Sequence, residues 1–165
     1  MRILKDFNIP DFKFPKIKMK GIENIPEEPC LIISNHAKAN GPLSYFFYFP
    51  FKKKIWCIGE MMKLKEVPAY AYKDFWSEKP KCIRWIYKII SYIIAPLASY
   101  VLKNADTLPV YKDERSIYTF KQTVVSLKEG NHVIIFPEHH KTYNDIVNDF
   151  QDKFIDIARL YYKNQ

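Results

Sequence analysis

The chain predicts an α/β domain with a mostly parallel central sheet flanked by helices, and three observations carry that expectation. Short apolar runs at residues 30–34, 55–58, 107–111 and 132–136 are bounded by proline, glycine or polar residues, the pattern of buried strands. Between the last two, Ile117, Phe120, Val124 and Leu127 recur at helical spacing. The connections are short, and a strand, helix, strand series of that kind implies parallel strands joined by crossovers.

Taking the elements in order, residues 1–20 form a basic and aromatic arm with Pro10 and Pro15 and no sustained period. The α/β domain body over residues 21–165 follows, entered through a turn-rich stretch that ends at Pro29. The first strand stops at Ser34-Asn35-His36, and Pro42 suits the first turn of a helix running to about Phe49. The second strand covers residues 55–58, and residues 60–81 read as one or two short surface helices. Residues 85–102 are the most hydrophobic stretch, interrupted by Lys88 and divided by Pro96. A span needs about 20 apolar residues, so this segment reads as a broken, membrane-associating helix that lies in the interface rather than crossing it. Pro109 marks the third strand as an edge or a bulge. Glu114 sits in the first turn of the next helix, Gly130 stops it, and the fourth strand ends at Pro137-Glu138. Val147, Phe150, Phe154, Ile157, Ala158 and Tyr161 mark one face of a final helix.

A length of 165 residues with 48% apolar and 27% charged residues is a globular composition and excludes a disordered chain. The net charge of +8 calls for an anionic partner: nucleic acid, a phosphorylated small molecule or an anionic membrane surface. Aromatic rings interleaved with Lys52, Lys53 and Lys54 over residues 45–56 resemble an interfacial surface, with rings at headgroup depth and lysines at the phosphates. No RNA- or DNA-binding signature accompanies them, so the expected partner is a membrane surface with anionic lipids and not a nucleic acid. Cys30, Cys57 and Cys82 lack paired spacing and read as buried thiols of a reducing compartment. The first 20 residues show no continuous apolar core of a signal peptide. The expected location is the cytoplasmic face of the cell membrane, peripheral or monotopic.

Chemistry concentrates where two strands end, in Asn35-His36 and in Pro137-Glu138. Parallel strands present their C-terminal ends on one edge, so these residues are expected to share a cleft, joined by Lys112 after the third strand. A histidine base beside cations suits deprotonation of a hydroxyl on a phosphorylated substrate: the lysines hold the phosphate and the imidazole takes the proton. His139-His140 raise a metal site with His36 or His132, but adjacent histidines diverge on most backbones and no carboxylate or cysteine completes a ligand spacing; no metal is expected.

These residues resemble the glycerophospholipid acyltransferases related to 1-acyl-glycerol-3-phosphate acyltransferase, and the resemblance runs from Gly21 to Tyr162. The family's Asn-His block with a following Asp is matched by Asn35-His36, with Gly41 at the Asp position. Its strand ending in an Arg is similar to Leu108-Pro109-Val110-Tyr111-Lys112, with Lys112 for the Arg. Its Phe-Pro-Glu-Gly-Thr-Arg block is similar to Phe136-Pro137-Glu138-His139-His140-Lys141. The helix after it resembles the segment from Phe150 to Ala158, and a fourth, late proline-containing block has no counterpart before Gln165. The resemblance implies transfer of an acyl group from acyl-CoA or acyl-ACP, as co-substrate and without a cofactor, to a hydroxyl of a lysophosphatidate-like glycerol phosphate lipid. It implies His36 as general base with Asn35 and Glu138 beside it, and Lys112, Pro137 and Lys141 at the acceptor site. Asn40 is placed to orient the imidazole in place of the Asp. Loss of an orienting carboxylate costs on the order of 10^4 in rate in a Ser-His-Asp protease. Gly41 therefore fits a weak enzyme, a carboxylate supplied from elsewhere, or a non-catalytic lipid-binding relative.

Overall fold

Three consecutive residues of the fourth strand, Val133, Ile134 and Ile135, have no exposed surface. Successive strand residues face opposite ways, so a run apolar at every position must be covered on both faces and belongs inside a sheet. That is where the structure, a computed structural model describing residues 17–36, 40–77, 79–111, 113–138 and 149–163, places it. The strands β1 (Leu31–Ile33), β2 (Lys53–Ile58), β3 (Thr107–Val110) and β4 (His132–Ile135) form one sheet in the order β1-β4-β2-β3. Every pairing is parallel: Leu31 stands beside Val133, Lys53 beside His132 and Ile55 beside Thr107.

The two faces of β4 organise two cores. Val133 and Ile135 pack with Leu108 and Leu127, and Leu31, Trp56, Phe154 and Tyr161 close around them. Ile134 packs on the other side with Phe49 and Ile55, joined by Tyr45, Phe46, Phe51 and Phe136. The first core is roofed by α4 (Ser116–Lys128) and α5 (Ile155–Lys163), and the second by α1 (Asn40–Tyr48). Between β2 and β3 the chain makes a 3-10 turn over Gly59–Met62, the short helix α2 (Val67–Ala71) with a wider π turn after it, and the long helix α3 (Arg84–Asn104).

Several expectations change in detail. Pro96 does not break its helix: α3 runs unbroken from Arg84 to Asn104. Ser91 and Ala95 before the proline and Ser99 after it are all buried against the domain, which keeps the helix continuous through Pro96. Within the Lys-aromatic stretch at residues 45–56, Phe49 and Ile55 are buried, Tyr45, Phe46 and Phe51 pack against the same core, and Lys53 Nζ donates to the Phe49 carbonyl at 2.9 Å. On α4 the buried face is Thr119, Thr123, Val124 and Leu127, while Ile117 is 60% exposed. The threonines can be buried because Thr119 Oγ1 donates to the Pro109 carbonyl at 2.8 Å, and Thr123 Oγ1 donates to the Thr119 carbonyl while accepting from Trp56 Nε1. Cys82 is exposed, and Cys30 and Cys57 are half-buried, so the three thiols are free but not all interior. Pro109 does sit on an edge strand, β3. Phe150 is not helical; it forms an antiparallel bridge with Glu138, and α5 begins only at Ile155. Val147 lies outside the described residues.

Candidate functional site

β1 and β4 are neighbours, so their C-terminal ends, Ser34-Asn35-His36 and Phe136-Pro137-Glu138, leave the sheet side by side. Ser34 N–H continues the ladder to the Ile135 carbonyl at 3.0 Å, and then both chains turn out of the sheet. There the His36 N–H donates to Glu138 Oε2 at 2.8 Å, across 102 positions of sequence. The His36 ring is exposed and stands edge-on to Phe136, centroids 5.4 Å apart; Phe136 in turn meets Tyr45 of α1 at 6.0 Å. The ring is thus propped on one side by an aromatic wall rooted in the core and open to solvent on the other.

Glu138 is itself held by its strand-like surroundings. Its backbone bridges to Phe150, and the Gln151 N–H donates to the Pro137 carbonyl at 2.8 Å. Pro137 is buried under this crossing. A carboxylate fixed in this way and bonded to a backbone N–H holds the His36 loop in place, which is a different job from bonding the imidazole directly.

Gly41 occupies the second position of α1, and its N–H donates to the His36 carbonyl at 3.3 Å. The helix N-terminus therefore backs directly onto the strand end: a Cβ at position 41 would stand 2.6 Å from the His36 carbonyl oxygen and 2.9 Å from that of Asn35. Both are backbone atoms, so the position has no room for a side chain as the loop stands. Asn40 opens α1 at this point. Lys112, Lys141 and the His139-His140 pair lie outside the described residues.

Sequence reasoning missed a charged cluster at the same edge, beyond β2 and β3. Arg115 lies over the Tyr111 ring, 4.0 Å from its centroid, and pairs with Asp113 at 2.7 Å, Glu60 at 3.5 Å and Glu66 at 3.8 Å. Lys63 stands over Tyr111 at 5.1 Å and pairs with Glu66. The Arg115 guanidinium bonds hold the Asp113 carboxyl down to about 2, and Asp113 in turn keeps Arg115 charged well beyond its ordinary range. Strands lie about 4.8 Å apart, so the end of β3 is about 10 Å from that of β4. The legible signal was Asp113-x-Arg115 directly after a strand end, with Glu60 just past another.

The remaining histidine belongs to the opposite edge. His132 begins β4, is 3% exposed, and meets Phe49 edge-on and Phe51 at a tilt. Its Nδ1 accepts from the Cys30 N–H at 3.4 Å and touches Cys30 Sγ at 3.3 Å. Burial lowers the His132 pKa and raises that of Cys30. Cys57, in β2, is pushed up to about 11 by burial. His132 and His36 are therefore separated by the length of the sheet, and among the described residues no three His, Cys, Asp or Glu side chains gather as metal ligands. An open concavity at this lower edge is lined by Phe51, Lys52, Lys53, Lys54, Asp106, Glu129 and Asn131, but Lys54 is spent on Asp106 at 3.1 Å and Lys53 on a carbonyl.

One described helix, Lys81–Asn104, is long and apolar enough to cross a membrane by length and composition, and only 17% of its apolar window is buried. Comparison with protein-family models, curated proteins and solved structures returns no match.

Proposed function

We propose that the chain is a glycerophospholipid acyltransferase of the 1-acyl-glycerol-3-phosphate type, working at the cytoplasmic face of a membrane. The observation that carries this reading is the His36 N–H to Glu138 Oε2 bond of 2.8 Å, because it brings the two strand ends that resemble the family's blocks to one point. The exposed imidazole takes the proton of the acceptor hydroxyl as the oxygen attacks the thioester carbonyl of acyl-CoA or acyl-ACP. The carbonyl re-forms, the carbon–sulfur bond breaks, and the thiolate takes the proton back from the imidazolium. No metal or redox cofactor is required by that balance. Lys112 and Lys141 are assigned to the phosphate of a lysophosphatidate-like acceptor, with Pro137 shaping the turn between them and the base.

Glu138 answers the missing aspartate in part. It supplies a carboxylate to the His36 loop from β4, so the loop is positioned without a side chain at 41. The second reading, a non-catalytic lipid-binding relative, is favoured by that same absence of space at Gly41. An acyl-transfer assay with lysophosphatidate and a long-chain thioester separates the two. The native chain should turn over, His36→Ala should lose on the order of 10^2- to 10^4-fold in kcat, and Glu138→Gln, whose amide oxygen still accepts the His36 N–H, should retain more activity than Glu138→Ala. Turnover unchanged in His36→Ala removes the catalytic assignment, and lipid binding without turnover in the native chain establishes the second reading.

A further inference from the structure

The two sides of α3 have opposite characters. Ser91, Ala95 and Ser99, spaced by four residues, are 0%, 2% and 4% exposed. They let α2 approach closely through Val67 and Ala71, both fully buried, and Ser99 Oγ donates to the Met62 carbonyl at 2.8 Å. The opposite side carries Trp85, Ile89, Tyr92, Ile93, Leu97 and Tyr100, which are 42% to 71% exposed. At 3.6 residues per turn they cover about 140° of the circumference in a stripe about 22 Å long. No described residue covers it. A continuous apolar stripe of that size marks an interaction surface and not scattered exposure.

Its charges decide the occupant. From Lys79 to Asn104 the chain carries Lys79, Lys81, Arg84, Lys88 and Lys103 and no acidic residue. A second copy laid on the stripe would set cations against cations, whereas a lipid surface with anionic headgroups complements them and accepts the apolar side chains between. Tyrosine and tryptophan on the stripe are the aromatic residues suited to that depth.

The orientation follows from what α3 carries. Lys63, Lys65 and Glu66 are bound to it through the Met62 contact and α2, and Lys88 stands on the helix itself. Standing α3 across a bilayer would draw these charges into hydrocarbon. Pro96 also offers no N–H to the Tyr92 carbonyl, a group that headgroup water satisfies and hydrocarbon does not. We infer that α3 is an in-plane docking helix that seats on an anionic lipid surface through its Trp85–Tyr100 stripe, long enough to span but held flat by the domain. The segment that carries it leaves the sheet at the end of β2, the edge at which His36 and Glu138 stand, and α3 delivers the chain to the start of β3 at the other edge. Docking through α3 does not rest on the acyl-transfer reading.

The test uses the full chain and vesicles of phosphatidylcholine with and without phosphatidylglycerol, read by flotation, with no turnover required. The native chain should float with phosphatidylglycerol vesicles and lose binding as salt is raised. Ile89→Asp and Ile93→Asp should weaken binding on the order of tenfold or more, and Lys81→Gln or Lys88→Gln by about fivefold each. Val125→Asp, exposed on α4, should behave as native in flotation and in thermal melting. Cys82 and a Lys103→Cys thiol, at the two ends of α3, should both react with a membrane-impermeant maleimide added outside the vesicles. In a Cys82→Ser background, a polarity-sensitive dye on Leu64→Cys should blue-shift on docking and one on Lys52→Cys should not. A native chain that never floats, protection of only one end of α3, a lipid-free dimer that Ile93→Asp dissolves, or a shift at Lys52→Cys and not Leu64→Cys overturns the proposal. Flotation without acyl transfer leaves docking in place and removes the enzymatic reading alone.

Discussion

At the scale of single residues, the sign of a substitution at Gly41 is decided by two carbonyl oxygens. Replacing a helical glycine by alanine ordinarily stabilises by about 0.5–1 kcal/mol. Here the new Cβ would stand 2.6 Å from the His36 oxygen, so Gly41→Ala should instead destabilise by about 1–3 kcal/mol in urea unfolding, as overpacking against backbone does. Gly41→Asp, which places there the carboxylate of the acyltransferase block that this loop resembles, should be at least as costly and should not raise any turnover. At Thr123 the cost is instead an unmet partner. It gives Trp56 Nε1 its acceptor at 2.9 Å, so the nearly isosteric Thr123→Val leaves a buried donor unpaired and should cost about 1–3 kcal/mol with the fold retained.

At the scale of elements, α3 and α4 show how far periodicity reaches. The apolar positions of α4 predicted its existence, and Gly130 its end, but the buried face is built on Thr119 and Thr123, which periodicity counts as polar. A hydroxyl becomes a core group when an acceptor is in reach, and that depends on β3 and β2 being alongside. For α3, Pro96 predicted a break because a proline inside a helix costs about 3 kcal/mol. The helix persists because Ser91, Ala95 and Ser99 are locked against the domain on both sides of it. Pro96→Ala, which returns an N–H to the Tyr92 carbonyl at an exposed position, should therefore raise stability by about 1–3 kcal/mol in the same unfolding assay, with vesicle docking kept. No gain would mean that the turn around Pro96 is already relaxed by another partner.

At the scale of the whole molecule, the sheet separates two histidines: His36 at the C-terminal edge with the candidate chemistry, His132 buried at the start of β4. Because burial lowers the His132 pKa, the unfolded chain binds its proton first as pH falls below about 6.5. Native stability should then decline from pH 6.5 downward until the folded-state pKa is passed, and should be unaffected by this group above 6.5. His132→Gln should flatten that part of the stability profile in thermal melts while leaving the pH dependence of any turnover unchanged; a shift in the turnover profile would tie the two edges together. Composition and periodicity by themselves determined the strand count, the parallel α/β class and the apolar helical stretch at residues 85–102, and narrowed Pro109 to an edge or a bulge, because these depend on local patterns of burial, turn chemistry and proline. They also located Asn35-His36 and Pro137-Glu138 at strand ends. What only the tertiary structure decided is the order β1-β4-β2-β3, which makes the first and last strands neighbours and joins His36 to Glu138 across 102 positions. The same packing closed position 41 to any side chain and gathered Arg115 with Asp113, Glu60 and Glu66. Sequence spacing carries no distance between residues so far apart; they meet only because the buried faces of β4 require a covered strand on each side.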